Sequence, residues 1–205
     1  MTRSNTVVAI IDDDAAMRTA LIDLLESVGL QTRAYGSGHE FVQAMDPDSP
    51  PCCLILDVRL PGTSGLEFQQ ELKAANIDIP IIFITGHGDI PMTVQAMRAG
   101  AVDFLAKPFR EQALLDAINR AIERGRIGRE KQAEITELRK RADELTPRER
   151  EVMLLVIRGL LNKQIAAELG TSETTVKVHR GQVMRKMQAD SLPDLVRMVE
   201  KLSLP

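Results

Sequence analysis

Four short apolar segments of the chain each end at residues that can bind or accept a phosphoryl group. In chain order these residues are Asp12 with Asp13, Asp57, Thr85 and Lys107. Carboxylate oxygens are the ligands that Mg²⁺ prefers. A carboxylate can also act as the nucleophile in group transfer. The residue types therefore predict a magnesium and phosphoryl site, provided that the fold brings them together.

The apolar segments themselves predict how this happens. Aliphatic and β-branched runs separated by helix-length segments are typical of buried strands in a parallel sheet. In such sheets the ligand site lies at the carboxyl ends of the strands. The first ~125 residues thus predict a doubly wound, flavodoxin-like α/β domain with all five residues at one edge. The same pattern predicts helices after Asp14, from Leu66, over Pro91–Ala99 and over Glu111–Arg124, and a weaker strand over Thr32–Tyr35.

Each of these residues also has an ordinary structural explanation. An acidic residue after a strand often caps the next helix, and Asp13 or Asp14 can do so. Agreement among all four strand ends favours the site. Because neighbouring residues point to opposite sides, we expect Asp13 to contact the metal most directly and Asp12 to act partly through water. Without a cation or Lys107, the carboxylates would repel one another and raise their own pKa values.

Composition restricts the function classes. The chain has 205 residues, no Trp and one Tyr, which argues against base stacking on single strands. Its net charge is −3, but the part from Thr146 onward has ten basic and seven acidic residues, so the remainder is acidic. Cys52 and Cys53 lack metal-site spacing and are expected to be small buried hydrophobes. No signal peptide, lipidation motif or long apolar span is recognisable, so we expect a cytoplasmic protein without membrane contact.

The composition changes after the α/β region. Residues 125–144 are polar and predict a helical linker, although Gly125 and Gly128 each cost a helix about 1 kcal/mol. A short coiled-coil dimer seam in this linker remains an alternative. Thr146, Pro147 and Glu149 then form a capping-box pattern that opens an all-α region of four helices. We therefore predict an α/β domain over 1–124, the linker over 125–144 and a separate helical domain over 145–205.

The helical region contains a helix–turn–helix pattern. It consists of Asn162–Leu169, a turn, and Glu173–Met187, with Ser172 capping the second helix. Helical spacing predicts that Val176, Val183 and Met187 lie in the core. The opposite face would then enter a major groove. It carries Thr174, Val178, Gly181 and Arg185, and Lys177 and Gln182 flank it.

Three of these residues are of types that contact DNA bases or phosphates. Lys177 can bond guanine, Val178 can touch a thymine methyl, and Arg185 can bond a phosphate. The alternative is a helix face that is merely solvated.

Sequence motifs add a family resemblance. The chain from Thr6 to Arg124 resembles a bacterial response-regulator receiver domain, through the Asp12-Asp13 pair, Leu-Asp57-Val-Arg-Leu-Pro-Gly, Thr85-Gly-His-Gly and Lys107-Pro-Phe. The resemblance implies that a sensor histidine kinase phosphorylates Asp57, assisted by Lys107 and Thr85. It further implies Mg²⁺ held by Asp12, Asp13, Asp57 and the backbone carbonyl of Arg59. It also implies a conformational switch formed by Thr85 and Phe104.

The helical region is similar to the LuxR-type DNA-binding domain. The matching motifs are Leu145-Thr-Pro-Arg-Glu, Asn162-Lys-Gln-Ile-Ala and Thr175-Val-Lys-Val-His. The whole chain therefore resembles the NarL/LuxR class of response regulators, FixJ branch. This implies a transcription regulator that binds double-stranded promoter DNA, dimerises on phosphorylation and has RNA polymerase as a further partner to consider. In this class the positions of Lys177 and Val178 face bases, whereas Thr175, His179 and Arg180 support or touch the DNA backbone. Gly181 departs from the usual larger polar residue, so operator preference cannot be transferred.

Arg59 bears on the rival functions. Receivers that lose phosphate quickly often carry an amide two residues after the acceptor, so Arg59 predicts a longer-lived phosphoryl group. A hydrolase resembling the haloacid-dehalogenase family would need a second Asp at that position, so we do not expect a turnover enzyme. A pure phosphate sink is disfavoured by the helix–turn–helix region. Two apolar surfaces can serve a dimer. One is the last helix, with the apolar residues Leu195, Val196, Met198, Val199 and Leu202, and the other is the receiver surface around Val94, Met97, Arg98 and the helix after Phe109.

Overall fold

The structure, a computed structural model, describes residues 7–47, 49–86 and 90–202. The chain forms two compact units, one on each side of the Gly128–Arg129 bond. Within the described ranges, no helix has both the length and the apolar character needed to cross a membrane.

The first unit is built on a parallel sheet of five strands in the order β2-β1-β3-β4-β5. The strands are β1 Val7–Ile11, β2 Gln31–Tyr35, β3 Cys53–Asp57, β4 Ile81–Thr85 and β5 Asp103–Ala106. The helices are α1 Ala15–Ser27, α2 Gly38–Ala44, α3 Gly65–Ala74, α4 Ile90–Arg98 and the start of α5, Glu111–Asp143. The predicted doubly wound α/β fold is confirmed.

Both faces of the sheet are buried, which explains the continuous apolar runs. Successive side chains of a strand point to opposite faces. Ile10 accordingly packs in one cluster with Leu25 of α1 and Ile118 of α5, whereas Ile11 packs in another with Phe41 of α2 and Phe68 of α3. Cys52 and Cys53 are both buried, as their pattern predicted.

One helix of the first unit was missed. No helix was predicted between the second and third strands, where α2 spans Gly38–Ala44. Ser37 caps this helix by accepting a hydrogen bond from the Glu40 amide, and only Phe41 is buried. Seven residues with one buried side chain give too little periodicity to be recognised.

Helix α5 continues through the segment predicted as a linker. It is one helix of 33 residues that passes Gly125 and Gly128 without a break. Packing outweighs the glycine cost of about 1 kcal/mol each, because Gly125 is buried and Leu138 and Ala142 belong to the core of the second unit. The predicted helical character of 125–144 agrees with this helix. The division at residues 124 and 144 stays a prediction.

The second unit contains the end of α5 and four more helices, α6 Pro147–Ile157, α7 Asn162–Glu168, α8 Glu173–Met187 and α9 Leu192–Leu202. The predicted capping box is confirmed. The Thr146 amide donates to Glu149 Oε2 at 2.8 Å, and the Glu149 amide donates to the Thr146 hydroxyl at 3.3 Å. Helices α6 and α7 end one residue earlier than their patterns suggested, which is ordinary fraying of the last turn.

Candidate phosphoryl site and nucleic-acid interface

The carboxyl ends of four neighbouring strands bring the predicted residues together. Asp12 follows β1, Asp57 ends β3, Thr85 ends β4 and Lys107 follows β5. The Lys107 ammonium donates to Asp12 Oδ2 at 2.8 Å and to Asp57 Oδ2 at 2.6 Å. Ninety-five residues separate Lys107 from Asp12, so only the sheet order makes this contact possible.

Asp57 is held through both carboxylate oxygens. Oδ2 accepts from Lys107, and Oδ1 accepts from the Arg59 amide at 2.9 Å. The residue is only 6% exposed, whereas the Arg59 side chain is exposed to solvent. The loop that follows β3 therefore orients the Asp57 carboxylate.

Three carboxylates form a group that fits a divalent cation. One oxygen each from Asp12, Asp13 and Asp57 lies within 4.8 Å of the others. Asp12 is buried and Asp13 exposed, so solvent reaches the cluster from the side of Asp13. An all-oxygen donor set with an open, hydrated side suits Mg²⁺, which keeps several waters when bound.

The ionisation of this cluster is a balance between burial and pairing. Burial raises the pKa of Asp12, and the hydrogen bonds from Lys107 and the Asp14 amide only partly offset it. For Lys107, burial lowers the pKa, but the hydrogen bonds and charges of Asp12 and Asp57 outweigh it, so the pKa is raised. The ammonium therefore stays charged at neutral pH and holds the two carboxylates together.

Thr85 and Phe104 lie on adjacent strands. Thr85 is fully buried, and its backbone carbonyl accepts from the Lys107 amide at 2.7 Å. Phe104 is half-buried and faces Phe83 of β4 with ring centroids 6.2 Å apart. The histidine of the Thr85-Gly-His-Gly motif lies outside the described residues.

The helix–turn–helix core follows the predicted pattern. Ile165 of α7 and Val176, Val183 and Met187 of α8 are at most 1% exposed. Ser172 caps α8 by accepting from the Thr175 amide at 3.1 Å. These placements confirm the predicted core of the helix pair.

The opposite face of α8 is open. Thr174, Lys177, Gly181 and Arg185 are exposed, and Val178 is 57% exposed. The remaining predicted contact residues are Thr175, which is exposed, and His179, Arg180 and Gln182, which are half-buried.

Some of these side chains already have partners within the domain. Arg180 Nη1 donates to Asn162 Oδ1 of α7 at 2.7 Å, and Arg185 donates to the Gln182 amide oxygen. The Thr175 hydroxyl lies 2.9 Å from that of Ser172. Arg180 therefore ties the two helices together in addition to any contact with a nucleic acid.

Lys186 joins α8 to the start of α6. Its ammonium donates to Glu149 Oε2 at 2.6 Å and to the Glu144 carbonyl at 3.0 Å. The hydrogen bond from Lys186, with that from the Thr146 amide, lowers the pKa of the buried Glu149. Arg141 of α5 adds a weaker bond to the Met187 carbonyl at 3.4 Å.

The comparisons agree with these two sites. Residues 8–119 match the family "Response regulator receiver domain", and residues 143–199 match "Bacterial regulatory proteins, luxR family". "Nodulation protein W" of Bradyrhizobium diazoefficiens is 56% identical over 201 residues, covering 98% of this chain and 88% of that protein. "Transcriptional regulatory protein FixJ" of Azorhizobium caulinodans is 46% identical over 192 residues, covering 93% and 90%. The solved structure of the response regulator StyR has a TM-score of 0.81 at 48% identity and covers 95% of this chain and 98% of that chain.

The parallel sheet with its carboxylate cluster and the unit with the helix–turn–helix together define a two-domain signalling protein. The chain belongs to the response-regulator family, with a receiver domain joined to a LuxR-type DNA-binding domain. It is a transcriptional response regulator with FixJ-like relatives.

Sequence reasoning missed three residues that shape these sites. Arg18 contacts the backbone of the acidic loop, Gly65 packs against the backbone of Asp57, and Lys186 pairs with Glu149. Of the three, only Gly65 could have been recognised from sequence. It directly follows the capping residue Ser64, and a glycine at a helix start can indicate a close approach of two backbone segments.

Proposed function

We propose that Asp57 accepts a phosphoryl group from a phosphohistidine of a partner kinase. A carboxylate oxygen of Asp57 attacks phosphorus in line, the P–O bond forms, and the P–N bond breaks with its electron pair returning to the imidazole. The observation that carries this proposal is the Lys107 ammonium, which holds Asp57 and Asp12 at 2.6 and 2.8 Å. Such transfer depends on positioning and charge neutralisation, which this arrangement provides.

Asp12, Asp13, Asp57 and the backbone carbonyl of Arg59 are the proposed Mg²⁺ ligands. When bound, the cation would neutralise charge on the transferred group and on the carboxylates. Lys107 shares this task from the side of β5, and the Thr85 hydroxyl would donate to a phosphoryl oxygen. The Phe104 ring would rotate inward when Thr85 is drawn toward the phosphoryl group, and this would change the surface at β5.

Arg59 stands where a hydrolytic water would otherwise be oriented by an amide or an acid. Its side chain is exposed, and its amide is engaged with Asp57. We therefore propose a phosphoryl group that persists beyond seconds, and a regulator in place of a turnover enzyme. Loss of phosphate within seconds would contradict this.

The exposed face of α8 is the proposed DNA interface. Lys177 and Val178 would contact base edges, Arg185 a phosphate, and Thr174, Thr175, His179, Arg180 and Gln182 would support or flank them. Binding sites selected from random duplexes test this assignment. Lys177→Ala should relax base preference at one position, whereas Arg185→Ala should weaken all duplexes alike and lower the salt slope by about 1.

Phosphorylation is proposed to promote a homodimer. On the receiver, Val94 and Met97 of α4 are 42% and 43% exposed. On α9, Leu195, Val199 and Leu202 are buried and Met198 packs on the same core. Val94 and Met97 are therefore more exposed than these four residues of α9.

Sedimentation of the full chain with Mg²⁺, with and without acetyl phosphate or beryllofluoride, tests whether Asp57 accepts phosphate and whether the chain then dimerises. We expect a monomer-to-dimer shift in the wild type that is absent in Asp57→Asn. Asp23→Asn, which neutralises an exposed acid of α1, is the matched control and should behave as the wild type. If the chain stays monomeric with phosphate confirmed on Asp57, the role of Asp57 as phosphoryl acceptor is supported and dimerisation as the switch is refuted.

A further inference from the structure

Arg18 of α1 reaches back to the loop that carries the acidic pair. Its Nη1 donates to the Asp12 carbonyl at 2.7 Å and to the Asp13 carbonyl at 3.1 Å. The Arg18 amide also donates to the Asp14 carbonyl at 3.0 Å. One residue therefore binds three consecutive backbone carbonyls of the acidic loop.

Asp13 depends on this support more than its neighbours do. The Asp12 carboxylate accepts from Lys107 and from the Asp14 amide, and the Asp14 carboxylate caps α1. The Asp13 carboxylate is exposed, and no hydrogen bond to it is found among the described residues. Its position is therefore set by its own backbone, which Arg18 holds at the carbonyl.

We propose that Arg18 is a positioning residue for the divalent cation, which fixes the loop so that the Asp13 carboxylate faces Asp12 and Asp57. The inference rests on the proposed phosphoryl site and extends it to a residue outside the carboxylates. Groups that orient metal ligands in this way typically contribute 10- to 100-fold to metal affinity.

The positive charge of Arg18 and its hydrogen bonds to the loop carbonyls predict opposite effects on Mg²⁺ affinity. A guanidinium beside the cluster repels a cation, so its removal would strengthen Mg²⁺ binding if charge alone mattered. Loss of the carbonyl anchors would instead free Asp13 and weaken binding. The direction of the change therefore separates the two explanations.

Calorimetric titration of the full chain with Mg²⁺ alone provides the test. We expect the dissociation constant of Arg18→Met to rise at least about 10-fold. Arg18→Lys, whose ammonium retains the charge and can bond both carbonyls, should recover most of the affinity. Arg33→Met removes the same charge from an exposed position on β2 and should stay within about twofold of the wild type.

Phosphorylation by acetyl phosphate supplies a second readout. The Mg²⁺ concentration for half-maximal rate should rise in Arg18→Met, while the rate at saturating Mg²⁺ stays near that of the wild type. A purely structural role would lower the melting temperature without this split. Mg²⁺ affinity in Arg18→Met equal to or tighter than in Arg33→Met would overturn the inference. Failure of the wild type to bind Mg²⁺ or accept phosphate would instead refute the proposed function.

Discussion

Gly65, the first residue of α3, approaches the acceptor strand more closely than a side chain allows. A Cβ atom there would lie 2.3 Å from the Asp57 carbonyl oxygen and 3.1 Å from Val58 Cα, whereas ordinary contact begins at 3.4 Å. The Gly65 amide also donates to the Val58 carbonyl at 2.8 Å. In Gly65→Ala, the start of α3 or the end of β3 must therefore move by about 1 Å.

Both stability and phosphoryl transfer should respond. Forcing an extra methyl group into close-packed backbone costs about 1–3 kcal/mol. A displacement of about 1 Å at a reacting group can lower a rate on the order of 100-fold. The assay is the initial rate of phosphorylation by acetyl phosphate at saturating Mg²⁺, with thermal unfolding measured on the same samples.

Gly128→Ala is the matched control. This glycine is exposed in the middle of α5, and an added Cβ would meet nothing within 4 Å. The control should be more stable by up to about 1 kcal/mol, with an unchanged rate. A wild-type rate and melting temperature in Gly65→Ala would refute the argument that close packing at this helix start positions Asp57.

Three further predictions concern the second unit. Leu138→Ala should lower its free energy of unfolding by about 2–5 kcal/mol, because this side chain is only 4% exposed. Urea titration against Ile127→Ala, which is 54% exposed, checks it. Leu161→Ser should raise the melting temperature, since Leu161 precedes α7 without a side-chain cap and a cap contributes about 1 kcal/mol. Because Lys186 lowers the pKa of Glu149 in the folded state, this pair stabilises above pH 4.5 and is lost as pH falls below it. Lys186→Met should flatten the acid side of the stability profile.

The strand-end residues could be predicted from sequence because the sheet imposes a single rule on them. Asp12, Asp57, Thr85 and Lys107 each follow a buried apolar run, and parallel strands bring all their carboxyl ends to one edge. The helix caps at Ser172 and Thr146 could also be predicted from sequence, because each depends on residues only three positions apart.

Contacts that depend on the path of a side chain could not be predicted in the same way. Arg18 is an ordinary residue of a helix surface until its guanidinium is seen to reach the Asp12 carbonyl. Lys186 and Glu149 are 37 residues apart and belong to different helices, so no spacing links them. The continuity of α5 was not predicted because apolar residues are sparse over 125–144, and the partners of Leu138 lie in helices α6 to α9.

Burial raises the pKa of Asp12, and this is a cost that a cation bound at the proposed site would offset. A carboxyl group whose pKa is higher in the folded than in the unfolded chain makes the fold less stable as pH rises above 3.8, the ordinary value. Lys107 acts in the other direction, because its raised pKa keeps its stabilising charge in place until pH exceeds 10.5. The hydrogen bonds and charge of Lys107 therefore compensate the burial of the Asp12 carboxyl group only in part. A divalent cation supplies the missing charge, so binding it relieves a cost that folding alone leaves in place.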